Sequence, residues 1–159
     1  MPTEAPLRRH DRLRTTWHLR RGGIVVFQEL HIMGESWDVP ASPLHKQMWD
    51  WTLRGFTQAG IDMAMGLKLP RVFREAGLPV PQMHLSAPVG GGRDWPGYEV
   101  LAMNFRTALE LAQRHGLATA DKVAALEVET FAERLRDAVV RQNGVITFAP
   151  SVGAWARKP

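Results

Sequence analysis

Arg20-Arg21-Gly22-Gly23 runs directly into Ile24-Val25-Val26-Phe27, and this junction constrains the fold more than any other stretch of the chain. A basic segment, two glycines and a short β-branched run specify a helix that stops and a strand that starts. Glycine supplies the positive φ at which a helix can end. The run from Ile24 to Phe27 is apolar at every position, and strand side chains alternate between faces. It therefore predicts a strand covered by helices on both sides.

Further punctuation follows along the chain. Ser42-Pro43 is a helix start, a capping hydroxyl followed by proline at the first helical position. Leu44, Met48, Trp51 and Phe56 then recur at near-helical spacing, which predicts one buried face and an end near Gly60. Leu69-Pro70 reads as the next helix start and Gly77 as its stop. Pro79 and Pro81 bracket an extended segment from Met83 to Val89, closed by Gly90-Gly91-Gly92. A long helix is expected from Tyr98 to His115, stopped by Gly116, and a last one from Leu126 to Val140. Asn143-Gly144 is a turn signal. Val145 to Ala149 and Val152 to Trp155 then read as one final strand, broken or bulged near Pro150. This alternation argues for an α/β architecture with a largely central sheet.

Composition narrows the function classes. The chain has 159 residues, enough for one domain with a real core, and 45% hydrophobic against 23% charged residues is a globular balance. It contains no cysteine, which removes disulfides, thiolate metal sites and a cysteine nucleophile. No apolar run approaches the roughly 18–20 residues that span a bilayer, so a cytoplasmic protein without a membrane role is expected. Six arginines among residues 1–21 (Arg8, Arg9, Arg12, Arg14, Arg20, Arg21), set against Glu4 and Asp11, account for the whole net charge of +4. Such a stretch can touch nucleic acid. No aromatic stacking pattern accompanies the arginines, so a solvated basic helix is the expected reading and nucleic-acid binding the weaker one.

The helix-Gly-Gly-strand unit resembles the entry to the fifth strand of class I S-adenosylmethionine-dependent methyltransferases. Further runs resemble a bacterial small-molecule branch of that family: Phe27-Gln28-Glu29, Gly66-Leu67-Lys68-Leu69-Pro70, Phe73-Arg74-Glu75-Ala76-Gly77-Leu78, Asp94-Trp95-Pro96-Gly97-Tyr98 and Gly153-Ala154-Trp155-Ala156-Arg157-Lys158-Pro159. The resemblance covers about residues 19–159 and implies a partial Rossmann-like α/β fold. About three strands, the fifth to seventh of the family sheet, would have flanking helices, the seventh lying antiparallel between the fifth and sixth. Residues 1–18 would be a basic tail and helix, and 19–159 the carboxyl half of a methyltransferase-like domain. Two departures stand out. Arg21 occupies a position where the family commonly has proline. The glycine-rich turn and the acidic strand end that hold S-adenosylmethionine have no room before Leu19, and Gly90-Gly91-Gly92 precedes Arg93-Asp94-Trp95-Pro96 rather than a helix packed on its own strand.

Ligands of open α/β sheets sit beyond the carboxyl ends of the strands. Glu29 and His31 follow the first strand at that edge, so His31 is the candidate general base and Glu29 the group that orients it or a substrate amine. The competing reading makes both of them polar strand-end residues bonded to nearby loops. Trp37 and Trp95, in loops beside glycine and proline, are candidates to line an apolar acceptor pocket, whereas Trp49 and Trp51 on a helix read as core. The six histidines show no metal-site spacing, so no metal is expected.

Three functions follow as expectations. The first is a methyltransferase-family protein acting on a small-molecule acceptor and represented by its carboxyl half, either truncated or active only when another chain completes its S-adenosylmethionine pocket. The second is a non-catalytic remnant that binds a small apolar ligand or a partner chain. A homodimer or complementing chain would pair with the strand edge that a fifth strand without its fourth leaves exposed. Nucleic-acid binding through the arginines is the third.

Overall fold

The computed structural model describes residues 19–32, 34 and 36–159, so the basic tail and helix expected over residues 1–18, with Arg8, Arg9, Arg12 and Arg14, lie outside the described residues. The chain after them is mixed α/β. Strand β1 is Ile24–Leu30 and β2 is Asp38–Val39, followed by helices α1, Pro43–Gln58, and α2, Met65–Glu75. Next come β3, Gln82–Ser86, β4, Val89–Gly90, and the long helix α3, Gly97–Arg114. The five-residue α4, Ala120–Ala124, precedes a 3₁₀ turn at Val128–Thr130 and helix α5, Phe131–Arg141. Strands β5, Val145–Thr147, and β6, Ser151–Arg157, end the chain.

These strands form two three-stranded sheets, ordered β1–β6–β3 and β2–β5–β4, and every hydrogen-bonded pair is antiparallel. The single final strand expected across Pro150 is instead two strands. Proline has no N–H to donate to a ladder, and at Pro150 the chain leaves one sheet for the other. The expected central sheet is thereby divided.

Three glycine helix stops, Gly60, Gly77 and Gly116, fall where the sequence put them. Gly22 has φ of 77°, and Gly60, Gly77 and Gly116, each just beyond a helix, are also at positive φ. The Gly22-Gly23 turn is held by the far end of the chain. The Gly22 N–H donates to the Lys158 carbonyl at 2.8 Å and the Lys158 N–H to the Gly23 carbonyl at 2.8 Å. Helix α2 starts at Met65, four residues before the expected Leu69-Pro70, and carries Pro70 inside it. Pro70 lies in the second turn of α2, close to the end where a missing donor is tolerated best. The helix expected from Leu126 begins only at Phe131, because Glu127 takes a left-handed backbone (φ 48°) that interrupts it.

Two apolar clusters hold the fold. The smaller joins α2 to one face of the first sheet: Leu69 and Phe73 pack on Val25, Val152 and Ala154, and the Phe27 and Phe73 rings meet edge to face at 5.6 Å. A β-carbon at Gly66 would lie 2.9 Å from Val152 Cγ2, so the first turn of α2 rests directly on β6. The opposite face carries Ile24, Val26 and Trp155, and Ile24 is 49% and Val26 63% exposed. The expectation of a strand covered on both sides is therefore corrected: among the described residues, α2 covers one face only. The larger cluster is built by α1, α3 and α5 around Met48, Trp49, Phe105, Leu109, Phe131 and Leu135, with Ile32 and Ile146 from the strand side.

Candidate functional site

Strand alternation sends Leu30 and Ile32, at the carboxyl end of β1, toward the larger cluster, and Glu29 and His31 toward α2. Both placements follow from contacts. Glu29 pairs with Val152, whose side chain meets Gly66, and a β-carbon on Gly66 would lie 3.1 Å from His31 Cβ. The His31 N–H donates to the Pro150 carbonyl at 2.9 Å, while its Nδ1 is buried without a hydrogen-bond partner among the described residues. Glu29 and His31 thus share one side of the strand end.

The other side opens onto a cavity of about 150 Å³. Leu30, Ile32, Phe148 and Ala149 form its strand wall; Met48, Trp49, Thr52 and Phe56 of α1 and Leu101 and Asn104 of α3 form the rest. Among the described residues, no charged side chain lines it. The indole of Trp49 is fixed by a 2.9 Å hydrogen bond from Nε1 to the Gly34 carbonyl. Thr52 is 5% exposed, and its Oγ1 has no hydrogen-bond partner among the described residues. A helical threonine hydroxyl commonly bonds the carbonyl four residues back, so this one is set apart.

The buried line of α1 runs through His45, Met48, Trp49, Thr52 and Gly55, rotated from the expected line of Leu44, Met48, Trp51 and Phe56. Gly55 is the reason. It has no β-carbon, so α1 packs against the α3 backbone at Ala108, and the flanking residues turn inward with it. His45 is fully buried beside Asp38, with Nδ1 3.6 Å from Asp38 Oδ1 and its ring edge-on to Trp49. Burial lowers its pKa from the ordinary histidine value, and the Asp38 carboxylate opposes that shift. The second Asp38 oxygen accepts from the Ser42 N–H at the start of α1.

Neither tryptophan expected at an acceptor pocket lines this cavity. Trp37 is 56% exposed, and its carbonyl accepts from the Thr147 N–H and Oγ1 at 3.0 and 2.9 Å. The Trp95 ring packs over Gly90 and Gly97 and meets Tyr98 edge to face at 5.1 Å. The cavity's polar residues Thr52 and Asn104 and its wall Trp49 carried no sequence signal beyond helical periodicity.

A cofactor cradle is absent from the glycine cluster. The Trp95 indole fills the space a side chain at Gly90 would take, and Gly91 packs against the Gly144 carbonyl. These glycines serve the chain's own packing, so the residues present do not fit S-adenosylmethionine there. Among the described residues, no group of three or more histidine and carboxylate side chains is placed to hold a metal ion, and no helix is long and apolar enough to cross a membrane. Comparison with known proteins yields no matching family model and no matching curated relative.

Proposed function

We propose that this chain is the substrate-side part of a methyltransferase-like domain, a cytoplasmic small-molecule binder whose described residues form no S-adenosylmethionine cradle. The strand order β1–β6–β3 carries the reading. Strand β6 runs antiparallel between two strands that are parallel to each other, the arrangement the resemblance implies for a fifth, seventh and sixth strand. The cavity beyond the carboxyl end of β1 supports the small-molecule part, because ligands of open α/β sheets collect at that edge. Methyl transfer would draw its cofactor side from outside these residues; His31 and Glu29 share the other side of the strand end and do not line the cavity. Without that side the protein acts as a non-catalytic binder.

Two titrations test this. Calorimetry with S-adenosylmethionine on the purified chain is expected to show no micromolar binding, and tight binding would overturn the absence of a cradle. An NMR screen with neutral fragments is expected to give binders that shift the Trp49 indole signal. A screen without any binder overturns the small-molecule reading.

A second reading concerns a partner chain. The outer edge of β1 has no strand neighbour among the described residues, and Ile24 and Val26 are exposed beside it. Unpaired apolar edges are usually covered. A second copy pairing along β1 would cover this one.

A further inference from the structure

We infer that the cavity between the end of β1, α1 and α3 is a binding site for a neutral, single-ring aromatic molecule bearing one hydroxyl group, seated by Thr52. This deepens the small-molecule reading above and rests on it.

Size sets the first limit. A cavity of about 150 Å³ matches apolar protein cavities that stay dry and take up a benzene-sized guest. The walls set the second. Trp49, Phe56 and Phe148 present aromatic surface and Met48 a polarizable thioether, a lining that favours ring edges and faces over a flexible chain. Trp49 is held by its bond to the Gly34 carbonyl, so this wall is in place before a ligand arrives.

Charge and hydrogen bonding set the remaining two. An ionised guest would lose its hydration with no counter-charge among the described lining residues, so a neutral molecule is selected. Thr52 Oγ1 is buried without a partner among the described residues, and an unmet buried hydroxyl is costly. A ligand hydroxyl can donate to or accept from it, and Asn104 on the facing helix supplies a second polar group at the wall. One polar contact on an otherwise apolar ring is what the lining matches.

The test uses phenol, benzene and benzoate with the full chain, followed through the Trp49 indole N–H signal by NMR. Phenol is expected to bind about fivefold tighter than benzene, the effect of one neutral hydrogen bond, and benzoate not to bind. Thr52→Val, which keeps the side-chain shape, is expected to bring phenol down to the benzene affinity. Equal binding of phenol and benzene by the native chain overturns the hydroxyl assignment and leaves small-molecule binding standing. Benzoate binding as tightly as phenol overturns the neutral class. Binding of none of the three, while other fragments shift Trp49, overturns the ligand class alone; silence from every fragment overturns the parent reading too. The native phenol-to-benzene ratio decides the matter even where Thr52→Val does not fold.

Discussion

Gly55 of α1 packs so closely on Ala108 of α3 that a β-carbon at position 55 would overlap the Ala108 carbonyl oxygen. Replacing a mid-helix glycine with alanine ordinarily stabilises by up to about 1 kcal/mol. Here the obstacle is backbone, which cannot rotate away, and overpacking of this kind costs about 1–3 kcal/mol. Gly55→Ala is therefore expected to lower stability in urea unfolding. Thr52 lies one helical turn before this contact, so the variant should also weaken binding in the cavity. A variant as stable as the native chain would show that the two helices do not meet at this point.

His45 is expected to give the protein a pH response. Its folded-state pKa lies below the ordinary histidine value because burial disfavours the charged ring more than Asp38 favours it. The unfolded chain then binds the proton more readily than the folded one. The stability tied to a neutral His45 is present above about pH 6.5 and is lost as pH falls below it. The Tm is expected to drop between pH 7 and pH 5, and His45→Gln to flatten that drop. An equal drop in the variant would assign the response to other groups.

Val26→Asp separates an interface from a core. Val26 is 63% exposed on the bare sheet face, so a carboxylate there leaves the folded chain's circular dichroism intact. If two copies pair along β1, size-exclusion chromatography with light scattering should show a dimer for the native chain and a monomer for the variant. A native chain that is already a monomer removes the homodimer.

The two aromatic positions Phe73 and Tyr98 should respond very differently to substitution. Phe73 is wholly buried against Phe27 and the sheet, and Phe73→Ala is expected to cost about 3–5 kcal/mol. Tyr98 buries a hydroxyl without a hydrogen-bond partner among the described residues. Losing that oxygen removes a desolvated group with nothing to replace, so Tyr98→Phe should change stability by less than about 1 kcal/mol, with a gain as the expected sign. Chemical denaturation of both variants checks the pair, and a large loss in Tyr98→Phe would reveal a bond to that hydroxyl.

The sequence by itself determined the local punctuation: the Gly22-Gly23 turn, strand β1, the Ser42-Pro43 start of α1 and the helix ends at Gly60, Gly77 and Gly116. Glycine and proline act through the φ angles they permit, a property of one residue that needs no partner. Tertiary structure decided the rest. It parted β5 from β6 into separate sheets, left Ile24 and Val26 bare while burying Val25, and turned α1 so that His45 and Thr52 face inward. It also placed Asp38 beside His45 and left a cavity between Thr52 and Phe148. These outcomes depend on which distant surfaces meet: helical spacing says that a face is buried, but the close approach of Gly55 to Ala108 selects which one.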